Sequence, residues 1–158
     1  MKKISLILFI TLSLLATSCN SVSYTSDMSC SDVANAVLSR SSKEFIEYES
    51  YYTDYIISDR SLYNDSTILY SIEVNDIDEI GIFRATDKEN AKILEQMLCE
   101  YIDDMRITER AFIESYAKDE LPKLDAARVK SLGSYVIYVI SDTDSISKII
   151  TAAEKALA

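Results

Sequence analysis

The sequence predicts an α+β fold: an antiparallel sheet of about four strands in two pairs, with a long central helix, a C-terminal helix and an N-terminal helical region. Three observations carry this. Residues 67–74 and 77–85 have the β-branched and aromatic texture of strands and are joined at an Asn75-Asp76 bend. Residues 129–132 and 135–140 flank Gly133-Ser134, and Gly at the first central place of a two-residue loop suits a type II′ turn. Between the two pairs, apolar residues from Ile93 to Tyr116 recur at intervals of three and four, the period of one helical face.

Taken in order, the chain opens with Lys2 and Lys3, an apolar run from Ile4 to Ala16, and the small residues Thr17 and Ser18. That order reads as a secretory signal, and the run falls short of the roughly 20 apolar residues that span a bilayer. Leu15-Ala16-Thr17-Ser18-Cys19 resembles the lipobox of bacterial lipoproteins, with Ala16 where that family prefers Leu. The resemblance implies that residues 1–18 are removed and that Cys19 is lipidated. The membrane is then a partner through that lipid, and the protein sits on the extracytoplasmic face of the cell membrane. Two acyl chains hold where one binds reversibly, since each buried methylene contributes about 0.8 kcal/mol. The competing reading is an ordinary secretory signal with Cys19 merely near the cut.

Residues 19–29 are Ser-rich and read as a flexible tether, leaving 30–158 as one α+β domain. Ser31 and Asp32 are helix-start residues before Val33, Val37 and Leu38. Phe45, Tyr48, Tyr52, Tyr55 and Ile56 then place an aromatic stripe on a second helix, read as core with hydroxyls at its rim rather than as a platform for a sugar or peptide. Asp59 to Ser66 is a turn region. Thr86 with Glu89 forms a capping box for the long helix, which should end by Lys118–Leu121 because Pro122 disfavours helical geometry before it. Ser141-Asp142 caps a last helix that buries Ile146, Ile149, Ile150, Ala153 and Leu157.

Cleavage before Cys19 leaves 14 basic against 26 acidic residues, a net charge of −12. Such a surface is repelled by phosphate backbones, so nucleic acid is not an expected partner. Of the 3 cysteines, Cys30 and Cys99 remain after Cys19. An extracytoplasmic location permits a disulfide between them, and two unpaired thiols are the simpler alternative. With 0 His, the chain has no Ser/His/Asp triad, no Cys/His pair and no His-based metal site. Asp76, Asp78, Gly81 and Asp87 fall at EF-hand spacing, but Ile80 occupies a ligand position and Asp87 replaces the closing Glu, so neither a metal nor a cofactor is expected. The Asp142/Asp144 pair is explained by helix capping.

The run Asp78-Glu79-Ile80-Gly81-Ile82-Phe83-Arg84, the long helix, Tyr116, and then Gly133-Ser134-Tyr135-Val136-Ile137-Tyr138-Val139-Ile140-Ser141-Asp142 resemble domain of unknown function 4358. That family comprises small, often lipidated proteins of Gram-positive bacteria. The likeness covers roughly residues 31–157, although the family's Tyr-x-Pro is not reproduced after Tyr116. It implies location and fold and supplies no catalytic residue. Asp78 and Glu79 read as the solvated end of a strand, with a ligand-facing acidic pair as the alternative. The expected function is a non-catalytic lipoprotein that binds a protein or small ligand. The rivals are an envelope hydrolase using carboxylates or a Ser/Lys pair, and an anchored subunit of an envelope assembly.

Overall fold

The computed structural model describes residues 23–25 and 27–158. Residues 1–18, read from the sequence as a signal segment, and Cys19 lie outside the described residues. Helix α1 (Cys30–Leu38) is capped by Ser29, whose hydroxyl accepts the Asp32 N–H at 3.1 Å, and buries Cys30, Val33, Ala34 and Val37. Strand β1 (Phe45–Glu47), helix α2 (Ser50–Ile56), strand β2 (Tyr63–Ser71) and strand β3 (Glu79–Ala85) follow. Helix α3 (Lys88–Thr108), helix α4 (Arg110–Tyr116), helix α5 (Leu121–Ala126), strand β4 (Arg128–Leu132), strand β5 (Tyr135–Ile140) and helix α6 (Thr143–Leu157) complete the chain. The sheet is antiparallel throughout, in the order β1-β2-β3-β5-β4.

The two predicted strand pairs are the centre and one side of this sheet, and β1 makes a fifth strand where the periodicity predicted helix. The edge of β2 offers unpaired backbone groups, and Phe45, Ile46 and Glu47 take them opposite Ser71, Tyr70 and Leu69. The Tyr48 N–H continues the ladder to the Ile68 carbonyl at 2.9 Å. A long-range ladder outweighs a local period here, and helix begins only at Ser50.

The long helix is also two helices. It ends at Thr108, and Glu109, whose N–H reaches the Met105 carbonyl at 2.9 Å, turns the chain into α4 so that Ile113 is buried. Its N-cap is Asp87 rather than Thr86. The Asp87 carboxylate accepts the N–H groups of Glu89 and Asn90 at 2.9 and 2.8 Å, while the Thr86 hydroxyl donates to the Ser61 and Leu62 carbonyls just before β2. Pro122 starts α5 instead of stopping α3, because a missing N–H costs nothing in a first helical turn. At the β4–β5 hairpin Gly133 has φ +66°, and no positive φ occurs at Ser134, as a type II′ turn requires.

Alternation along the strands divides the core into two layers. Leu69, Ile80, Ile82, Ile137 and Val139 face α1 and α6, whereas Ile68, Phe83, Val136, Tyr138 and Ile140 face α3. Tyr24 and Met28 pack on the α1/α6 layer, and the Thr25 N–H bonds to the Leu157 carbonyl at 2.8 Å, fastening the start of the described chain to the end of α6. Cys30 is buried in that layer, Cys99 is exposed on α3 on the other side of the sheet, and both are free thiols in this structure. No helix among the described residues is long and apolar enough to cross a membrane.

Candidate functional site

On the α3 side of β3, period-two alternation places Glu79, Gly81 and Phe83 in one row. Gly81 pairs with Tyr138 of β5, and its missing β-carbon leaves the space that the Tyr138 ring fills. The ring runs along β3 over Gly81, and its hydroxyl donates to Glu79 Oε1 at 2.7 Å. From α3 the Tyr101 hydroxyl donates to the same oxygen at 2.9 Å, and from α2 the Tyr52 hydroxyl reaches Oε2 at 3.3 Å. Tyr52 and Tyr101 also meet hydroxyl to hydroxyl at 3.2 Å.

These residues make four close O···O contacts but carry only three hydroxyl protons. A protonated Glu79 supplies the fourth, and the network is then complete. Burial pushes the Glu79 carboxyl above the usual carboxylate range, against the pull of the tyrosine hydrogen bonds. Burial first, and then the negative charge that Glu79 would carry if ionised, pushes Tyr52, Tyr101 and Tyr138 up, so all three stay protonated as donors. Tyr48 is raised to about 12 by the same two causes.

Above this network lies a cleft of about 650 Å³ between α2, α3, α4 and the start of β3. One face of α3 supplies two rows. Met97, Tyr101 and Met105 line the inside, while Glu100 and Asp104 stand one residue to the side and expose their carboxylates at the mouth. Tyr48 stacks between Tyr52 and Tyr70 with ring centroids 3.8 and 4.0 Å away. Tyr55 on α2 and Phe112 on α4 are 77% and 61% exposed at the rim. No Lys or Arg lines the cleft among the described residues.

At one end of the cleft, Asp76 and Asp78 sit in an ion network. Lys43 Nζ lies 2.6 Å from Asp76 and 2.8 Å from Asp78, and Lys123 Nζ lies 2.5 Å from Asp76, 3.0 Å from Asp78 and against Glu120. The buried Ser141 hydroxyl donates to Asp78 at 2.8 Å. Burial alone would raise Asp76, but the hydrogen bonds from Lys123 and Lys43 outweigh it and hold the carboxyl well below its ordinary value. Both ammonium groups are correspondingly raised despite their own burial. Carboxylate oxygens of Asp76, Asp78 and Glu120 converge within 4.8 Å of one another, and the two lysines supply the positive charge that such a cluster demands.

The EF-hand spacing is not a loop. Gly81 lies inside β3 and Asp87 caps α3, away from Asp76 and Asp78. Asp142 caps α6, accepting the Ser145 N–H at 2.9 Å, as its position predicts. Asp78 and Glu79 are 3% and 5% exposed, which corrects the reading of a solvated strand end. The aromatic stripe is split, with Tyr48 and Tyr52 partly buried at the cleft and Tyr55 at its rim. Tyr101, Tyr138, Glu100 and Asp104 were not singled out by sequence. A Glu flanked by strand residues and followed two places later by Gly was the available signal for the first two.

The family model described as Domain of unknown function (DUF4358) matches residues 53–141, from within α2 to the end of β5, and this stretch contains Glu79, Tyr101, Tyr138 and the acidic row of α3. No curated protein and no solved structure matches the chain. With more than half of its length matched, the chain belongs to the DUF4358 family.

Proposed function

We propose that the protein is a lipoprotein, tethered through Cys19 to the outer face of the cytoplasmic membrane, that binds a ligand in the cleft above Glu79 without transforming it. The observation that carries this reading is the condition of Glu79, a carboxyl at the cleft floor whose pKa burial raises. A general acid or nucleophile needs lone pairs and a proton directed at substrate. Those of Glu79 are directed at Tyr52, Tyr101 and Tyr138. The Ser/Lys alternative is weakened by Lys43 and Lys123, which are raised and ion-paired and therefore poor bases, and by Ser141, which is 1% exposed with its hydroxyl committed to Asp78. The cleft volume falls within the roughly 300–1,000 Å³ of small-molecule sites, and its tyrosines are locked by one another before any ligand arrives.

The test uses full-length protein isolated from its own membranes. Intact mass should show acylation at Cys19, and Cys19→Ala should move the protein out of the membrane fraction. Envelope extract passed over the protein should yield a retained compound that elutes with unchanged mass. A bare Cys19 thiol would remove the tether, and a retained compound eluting cleaved would make the protein a hydrolase.

A further inference from the structure

The cleft has a sided chemistry that the reading of it as a ligand site does not by itself specify. Its interior is apolar and aromatic, built from Met97, Tyr101, Met105, Tyr48 and Tyr52 above a Glu79 network that is complete when neutral. Its mouth is acidic: Glu100, Asp104 and Glu109 are exposed there, and none makes an ion pair among the described residues. Elsewhere on α3, Glu89 pairs with Lys92 and Asp103 with Arg106, whereas Glu95 makes no ion pair among the described residues. Glu100 and Asp104 are instead like charges one helical turn apart, a spacing that destabilises a helix and that a Lys would ordinarily relieve. The rings of Tyr55 and Phe112 line the same cleft and are exposed.

Resting on the cleft as the ligand site, we propose that its ligand is a small amphiphilic amine, with the ammonium group held at the mouth by Glu100, Asp104 and Glu109 and the apolar body lying over the tyrosine and methionine floor. The charge complementarity selects a cation. Exposed aromatic faces lining the same cleft attract a cation through their quadrupoles, and the apolar floor rejects a second charge buried beneath it. An anionic ligand would meet repulsion at the mouth, and a metal ion would find no use for the floor.

The test is titration of the full chain in zwitterionic nanodiscs with three probes that share one body: phenethylammonium, 2-phenylethanol and phenylacetate. Tyrosine fluorescence and protein chemical shifts report occupancy. Phenethylammonium should bind saturably, at least about tenfold more tightly than the alcohol, and phenylacetate should not bind. Glu100→Gln with Asp104→Asn should weaken the amine about tenfold and leave the alcohol unchanged, while Asp144→Asn on the opposite face of the sheet should change neither. Equal binding of amine and alcohol, or equal loss in the Asp144→Asn control, would overturn the cation preference and leave the cleft as an apolar ligand site. If a lysine-rich peptide binds at the cleft and phenethylammonium does not, the occupant is a protein partner and the proposal fails. If no probe binds, the reading of the cleft as a ligand site falls as well.

Discussion

Replacing Gly81 with Ala tests the packing from which the cleft floor is built. A β-carbon at Gly81 would lie 1.9 Å from Cε1 and 2.6 Å from both Cδ1 and Cζ of Tyr138. Tyr138 is 0% exposed, and β3 is held by ladders to β2 and β5 on both sides, so neither ring nor backbone has room to retreat. The ring must leave its place over β3 and take its hydroxyl away from Glu79. Overpacking a core costs about 1–3 kcal/mol and stranding a buried hydrogen-bonding group about 1–3 kcal/mol, so the loss should be about 4 kcal/mol. That is a large share of the roughly 5–15 kcal/mol that holds a domain folded. Urea unfolding followed by circular dichroism measures it. Tyr138→Phe, which keeps the ring, should lose only about 1–3 kcal/mol. Gly81→Ala combined with Tyr138→Leu should be less destabilised than the two single losses added, by more than about 1 kcal/mol, because the smaller side chain removes the clash. The reasoning is wrong if Gly81→Ala lies within about 0.5 kcal/mol of the parent, or if the double variant is additive.

The raised Glu79 carboxyl makes the folded state hold its proton more tightly than the unfolded chain does, so its contribution is full below the ordinary glutamate range and is lost as pH rises through the folded value. Glu79→Gln cannot titrate, and its stability relative to the parent should therefore improve with rising pH in urea titrations above about pH 5, whereas a pH-independent gap would contradict the assignment. Asp76 has the opposite sign: lowered in the fold, it contributes stability above the ordinary aspartate range that is lost as pH falls toward its depressed value, and Asp76→Asn should remove that acid-side loss. Lys123→Met leaves Asp76 and Asp78, 5% and 3% exposed at their side chains, with Lys43 alone, and should cost about 3–5 kcal/mol. Millimolar calcium should then raise the variant's melting temperature and not the parent's, since the freed carboxylates already converge. Gly133→Ala, at φ +66° with its new β-carbon 3.0 Å from Tyr24 Cβ, should lower stability by about 1–2 kcal/mol in the same assay.

The elements legible in the sequence are those whose signal is local. Gly133-Ser134 specifies its hairpin by backbone chemistry, Asp142 caps α6 through N–H groups three residues away, and the strand texture on both sides of Asn75-Asp76 survives as β2 and β3. Where local and distant preferences compete, the sequence misleads. Phe45 shares a helical period with Tyr48 and Tyr52, but the open edge of β2, more than twenty residues on, recruits it as a strand. Phe112, Ile113 and Tyr116 continue the period of α3, yet Ile113 reaches the core only after the turn at Glu109. The floor of the cleft was illegible for the same reason. Tyr52, Glu79, Tyr101 and Tyr138 come from four elements, and only the folded sheet brings their oxygens together.

The hydrogen bond from Thr25 to the end of α6, with Tyr24 against Gly133, fixes where the polypeptide enters the domain: on the α1/α6 side, opposite the cleft. The five residue-to-residue steps from Cys19 to Tyr24 can extend no more than about 18 Å. With Cys19 acylated, that short reach would draw the α1/α6 layer down toward the lipid headgroups and turn the tyrosine-lined opening outward. Solutes would then arrive from the cell-wall side, and the protein would work as an upward-facing receptacle standing directly on the membrane.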